Sequence, residues 1–209
     1  MSQELTKRIL SSLILIPIAL FFIIKGSFLF ILFLFICFSL IIYEWYMMTK
    51  KKYYSIFGYI FLILSFYTIY RLRIDNDYSF LLFITIICVS TDVGGYIFGK
   101  TFRGPKLTKF SPNKTYAGML GGYLLSILSA IILTNFYFSE KLSIKLLIFV
   151  ILISSISQLG DIIISYFKRI SKIKDTGKII PGHGGLLDRA DGMIFAFPFS
   201  YLILLTDIL

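Results

Sequence analysis

One histidine, one tryptophan, two cysteines and five prolines are spread through 209 residues, and acidic residues number 11 against 21 Lys and Arg. Cys37 and Cys88 both lie within apolar runs and read as packing residues, not as a disulfide or a metal pair. The lone His183 stands in a glycine-rich loop, so no Ser–His–Asp arrangement is suggested. The P-loop pattern GxxxxGK[ST] is missing as well. No internal repeat or low-complexity linker is visible, and no polar stretch is long enough for a separate soluble domain.

What is abundant is apolar sequence. Hydrophobic residues make up 57% of the chain and the mean hydropathy is +0.86, values that belong to a membrane protein. A crossing helix needs about 20 residues, and candidate spans fall at 9–24, 27–43, 55–70, 78–99, 116–136, 144–167 and 187–206. Lys7 and Arg8 precede the first, but no small-residue cleavage site follows, so it reads as an uncleaved helix. With the amino terminus in the cytoplasm, seven spans put all but Lys25, Arg71, Arg73, Lys141 and Lys145 of the basic residues inside, as the positive-inside rule favours. Topology and anionic headgroups then account for the net charge of +10, with no call for nucleic acid. The expectation is an all-α, polytopic transmembrane bundle of about seven spans with its active site at the cytoplasmic side. Residues 1–77 form the N-terminal helices, and residues 78–209 form a catalytic bundle with cytoplasmic loops 100–115 and 168–186.

In "YEWYMMTKKK", Trp45 and Tyr46 read as an interfacial belt and Lys50, Lys51 and Lys52 as an inside anchor. Glu44 reads as snorkelling to the interface or pairing with a lysine. Other acids sit where lipid should forbid them. Asp92 precedes Lys100 by eight residues and Asp161 precedes Lys168 by seven, depths of roughly 12 and 10 Å along a helix. Such carboxylates should face protein or a water-filled cavity. Asp161, Ser165 and Lys168 share one helical face, while Asp188 and Asp191 are neighbours in the first turns of the last helix. If residues 169–185 return along the surface, Asp92, Asp161, Asp188 and Asp191 converge at one level. Crowded carboxylates repel, and Mg2+, which takes one or two carboxylates and completes its shell with water and phosphate, relieves that. The competing reading is a set of Asp–Lys/Arg pairs that only fasten the helices.

Residues 174–192, "KDTGKIIPGHGGLLDRADG", hold the only histidine, five glycines, three aspartates, two lysines and an arginine. In "PGHGG", glycine permits close backbone approach ahead of a helix N-terminus that favours anions, and His183 reads as a phosphate donor, a metal ligand or a histidine satisfied by backbone. In "KFSPNKTYAGMLGG", Ser111 reads as an N-cap and Pro112 as the first helical residue, with Lys114 in the first turn. Gly118 and Gly122 form GxxxG and read as close helix packing, as do Gly95 and Gly99. Together these features describe metal-dependent transfer chemistry between a nucleotide or diphosphate and a lipid.

At the same residues the sequence resembles the phosphatidate cytidylyltransferase family. The family pattern S-x-x-K-R, four residues, K-D, then P-x-H-G-G and D-R-x-D reads here "SYFKRISKIKDTGKIIPGHGGLLDRAD", from Ser165 to Asp191, with Ala190 as a departure. "KRILSSLILIP", "DVGGYIFGK" and "SPNKT" also match family segments, and residues 50–78 are shorter than is usual in the family. The resemblance implies CTP and phosphatidate as substrates, CDP-diacylglycerol and pyrophosphate as products, Mg2+ dependence with a second cation, a homodimer, and a bacterial inner membrane. It implies Asp161 and Asp188 as metal ligands, with Asp191 assisting. Lys168, Arg169 and Lys174 would then bind phosphate charge, with Lys114, Ser111, His183, Gly184, Gly185 and Arg189 completing the substrate site. Two other readings share part of this pattern: a CTP-dependent polyprenol or phytol kinase, and an ion-coupled transporter, although the repeats expected of a transporter are not visible.

Overall fold

Gly26 (φ 64°) and Ser27 (φ 51°) turn the chain between α1 (Gln3–Lys25) and α2 (Ser27–Thr49). The computed structural model describes residues 3–50, 52–109, 111, 113–136, 143–182 and 184–206, with the backbone alone for 3–10 and 12. His183, Pro112, Lys51 and Lys141, and the side chains of Lys7 and Arg8, therefore lie outside the described residues. The chain continues through α3 (Ser55–Asp75), α4 (Tyr78–Phe102), α5 (Tyr116–Phe136), α6 (Ile144–Ile170), the short α7 (Leu187–Ala190) and α8 (Met193–Leu205). Five helices, α2 to α6, are long and apolar enough to cross a membrane, and the apolar stretches Leu13–Lys25 and Met193–Leu205 bring the count to the expected seven. The protein is an all-helical integral membrane protein, as befits a solvent in which every backbone polar group must be satisfied within its own segment.

Alpha helices 2 and 3 run further than the hydropathy alone marks. Their ends, "YEWYMMT" and "RLRID", are amphipathic and stay helical beyond the apolar run. The core lies between α4, α6 and α8, where Ile84, Ile87, Cys88, Val150, Ile153 and Ala196 are fully buried. Cys37 and Cys88 are both free. Outward-facing residues such as Phe28, Phe57 and Ile60 are exposed, as lipid contact allows. Hydroxyl pairs tie the helices across the core, with Thr91 donating to Ser154 at 2.9 Å and Ser90 meeting Ser129 at 2.7 Å.

The closest helix contact is the glycine seam between α4 and α5. A Cβ added at Gly94 would come within 2.3 Å of the Gly121 carbonyl oxygen, and one at Gly118 within 2.7 Å of the Gly95 oxygen. The GxxxG reading therefore holds: small residues let the two backbones meet. Gly94→Ala is expected to lower the melting temperature in detergent, since overpacking costs about 1–3 kcal/mol. Gly95→Ala, whose Cβ meets only a carbonyl at 3.7 Å, should melt close to the parent. Equal melting of the two variants would mean that the seam does not hold the pair together.

Candidate active site at one end of the bundle

The loop from Arg103 to Thr115 folds back on itself before α5. Leu107 N donates to the Lys114 carbonyl at 2.7 Å, Tyr116 N to the Pro105 carbonyl at 3.2 Å, and Lys106 bridges to Thr115. This closure corrects the helix start read from the sequence. Ser111 lies in a turn, its carbonyl accepting from Lys114 N at 3.1 Å. The cap is Thr115, whose Oγ1 accepts from Gly118 N at 3.1 Å. Lys114 consequently sits just ahead of α5, not within its first turn, and its ammonium forms an ion pair with Asp161 of α6.

Asp161 accepts from Ser165 Oγ at 3.4 Å, one turn further along α6, so the shared face read from the sequence is present. At the end of that face Lys168 is buried, its Nζ donating to Asp188 Oδ1 at 2.8 Å. The other Asp188 oxygen accepts from Thr176 N at 2.8 Å and Gly185 N at 3.0 Å. Residues 171–186 are drawn back over the helix ends by these bonds and by a tight turn in which Ile180 and Gly184 exchange two backbone hydrogen bonds. Gly182 (φ 76°) and Gly184 (φ 89°) supply the left-handed backbone that this turn requires. A Cβ at Gly184 would also come within 2.8 Å of Asp188 Oδ2.

Asp191 follows α7, and the backbone keeps helical dihedrals through Asp191 and Gly192 into α8. The Asp191 side chain is buried and accepts from Gly192 N at 2.9 Å. Electrostatic contact joins Asp191 to Asp161, Asp92, Lys168 and Lys114, and joins Asp92 to Asp161, Lys114 and Arg189. Asp92, Asp161 and Asp191 are thus within electrostatic reach of one another, and Asp188 is tied to them through Lys168. Asp92 is exposed and makes no hydrogen bond or ion pair among the described residues. Arg169, Lys174, Asp175 and Arg189 are exposed around the same end.

For Mg2+ the chemistry of this donor set is suitable, since it is all oxygen and that ion takes only one or two protein carboxylates. Among the described residues no three His, Cys, Asp or Glu are grouped closely enough to hold a metal by themselves. Asp161, with its side chain 26% exposed, and the unpartnered Asp92 are the most available carboxylates. Asp188 is already engaged on both oxygens.

Glu44 corrects the sequence reading most. It neither snorkels nor pairs with a lysine. Its carboxylate is 1% exposed, and it accepts from Thr176 Oγ1 at 3.0 Å, Leu186 N at 2.9 Å and Leu187 N at 2.8 Å. Trp45 is likewise buried, not interfacial: its indole N–H donates to the Ser55 carbonyl at 3.1 Å and its ring packs against Phe167. Tyr46 remains exposed, as a belt residue would. The signal that marks Glu44 is its being the sole glutamate inside an apolar run.

A helical membrane bundle carrying carboxylates, ammonium groups and a glycine loop at one end has the chemistry to hold phosphate groups beside a lipid surface. The chain is a member of the cytidylyltransferase family, matching it over residues 6–78 and 69–206, and that family consists of nucleotidyltransferases. It is 37% identical over 213 residues to the phosphatidate cytidylyltransferase of Rickettsia felis, covering 96% of this chain and 92% of the relative. The enzyme of that name from Rickettsia conorii is 36% identical over 208 residues, with 94% and 89% covered. That of Staphylococcus haemolyticus is 40% identical over 144 residues, which is 68% of this chain and 55% of the relative.

Proposed function

We propose that the protein transfers the cytidylyl group of CTP to phosphatidate, forming CDP-diacylglycerol and releasing pyrophosphate. The observation that carries this reading is that the Lys168–Asp188 pair closes the same face of α6 that carries the Lys114–Asp161 pair. The relatives' names supply the substrates. A phosphatidate phosphate oxygen attacks the α-phosphorus of CTP, the new P–O bond forms, and the bond to the β-phosphate bridging oxygen breaks. The attacking phosphate is already a nucleophile, so the chain's task is positioning and charge neutralisation.

Asp161 would hold Mg2+, with Asp188 joining through Oδ1, the oxygen not bonded to backbone N–H groups, and Asp191 and Asp92 close behind. When bound, this ion would supply positive charge to offset that developing on the leaving pyrophosphate. Lys114 and Lys168 neutralise aspartates here, and each ammonium would turn to phosphate oxygens as its carboxylate takes up the cation. Lys174, Arg169 and Arg189 lie at the same end and would meet the remaining phosphate charge, while the amides of Ser111, Gly184 and Gly185, bonded to Thr108, Ile180 and Asp188, would shape the loops around it. A second cation would find Asp92 and Asp191.

Label carried on the α-phosphate of CTP is expected in extracted lipid, and label on the γ-phosphate in pyrophosphate. Appearance of the γ-label in lipid would establish a kinase instead. We place the site at the cytoplasmic face of a bacterial inner membrane, in a protein that works as a homodimer without nucleic acid. The excess of Lys and Arg at the site end supports that orientation. A cysteine introduced at the exposed Lys178 should react with an impermeant reagent from the cytoplasmic side only, and labelling in intact cells would reverse the orientation.

A further inference from the structure

Glu44 belongs to α2, far in sequence from the residues that carry the proposed reaction, yet it is more deeply buried than any other carboxylate at this end. Among the described residues no ammonium or guanidinium pairs with it. It is satisfied instead by three donors of one loop: the Thr176 hydroxyl and the Leu186 and Leu187 amides. The loop is shaped around the carboxylate. A Cβ at Gly177 would come within 2.7 Å of Oε1, and one at Gly185 within 2.4 Å of Oε2.

Thr176 is gripped twice, its hydroxyl by Glu44 and its amide by Asp188. Gly185, which donates to Asp188, directly precedes Leu186, which donates to Glu44. The two carboxylates therefore clamp the same stretches of backbone, and Asp188 passes the constraint to Lys168 at 2.8 Å. Among the described residues no other charged group joins α2 to this loop. A negative charge held by three neutral donors fixes those donors in turn, since an apolar residue in its place would leave the Thr176 hydroxyl and the Leu186 and Leu187 amides unmet.

We propose that Glu44 is a positioning residue for the transfer reaction. It sets the backbone of residues 175–187 so that Asp188 and Lys168 face the substrate phosphates. The proposal rests on the cytidylyl-transfer reading of the site. It predicts that Glu44 governs kcat and leaves the KM for CTP nearly unchanged, because misplacement of reacting groups by about 1 Å costs on the order of 10²-fold in rate.

The test compares Glu44→Ala and Glu44→Gln with the parent in detergent, by steady-state kinetics and by hydrogen exchange of the backbone amides. Glu44→Ala should lose about 10²-fold in kcat and exchange faster at Thr176 and at Gly185–Leu187, with exchange in α4 and α5 unchanged. Glu44→Gln, which retains an acceptor for part of the donor set, should recover part of both. Native kcat in well-folded Glu44→Ala would overturn the proposal. So would faster exchange spread evenly over the bundle with activity falling only as the folded fraction falls. Because exchange is read without substrate, loss of protection confined to this loop in a parent that lacks cytidylyl transfer would overturn the functional reading and leave the clamp standing.

Discussion

Asp161→Asn should leave the protein folded and remove nearly all turnover. The substitution keeps the shape of the side chain and an acceptor for Ser165, and removes only the charge. The Asp161–Lys114 pair is partly open to solvent, with side chains 26% and 23% exposed, so its loss should cost about 1 kcal/mol or less in stability. If the same carboxylate holds the cation that neutralises the substrate phosphates, kcat should fall by on the order of 10²–10³-fold, as when one preorganised electrostatic contact is deleted from an active site. The check is turnover against Mg2+ concentration, run beside a melting curve of the solubilised protein. A well-folded variant with near-native rate and Mg2+ dependence would rule out the metal role. A lowered melting temperature with an ordinary Mg2+ response would make Asp161 a fastener.

Asp188→Asn should show a different signature, with stability and turnover falling together. The Lys168–Asp188 pair is buried, with side chains 11% and 4% exposed. Removing one partner strands the other charge, at a cost of about 3–5 kcal/mol. The asparagine NH2 would also face either the ammonium or the two backbone N–H groups, so at least one of the three donors now held by Asp188 must go unmet. Adding Lys168→Met removes the stranded charge, and the double variant Asp188→Asn/Lys168→Met should regain much of the melting temperature. It should regain no turnover, since both proposed phosphate and metal contacts are then gone. Recovery of stability and activity together would reduce the pair to packing. In combination with Asp161→Asn, the loss in rate should scarcely exceed that of either single change, because groups acting on one cation are not additive.

The sequence is most legible where a property is local. Runs of apolar residues located the long helices, and glycines at intervals of four foretold close helix packing, because both patterns are set by neighbours within one or two turns. The face shared by Asp161, Ser165 and Lys168 could be read for the same reason. Thr115 was harder: Ser111–Pro112 is the stronger helix-start pattern, and only the pairing of Leu107 with Lys114 keeps that segment in a turn. Glu44 and Trp45 look interfacial because polar-tipped residues beside three lysines usually are. What buries them comes from α6, α3 and the loop before α7, and nothing near residue 44 announces those partners. The approach of Asp188 to the α6 face was legible only on the condition that the loop before α7 returns, and the Lys168–Asp188 pair shows that return.

The burial of Glu44 also has a history within each molecule. Its three donors lie 132, 142 and 143 residues further along the chain, so during synthesis α2 is made long before any of them exists. A bare carboxylate cannot wait in hydrocarbon, and in that interval Glu44 must stay within reach of water beside Lys50 and Lys52. The snorkelling pose excluded in the finished fold is therefore the one the growing protein requires. Only when the loop before α7 emerges can water be exchanged for amides, which makes closure of the active end one of the last events of assembly.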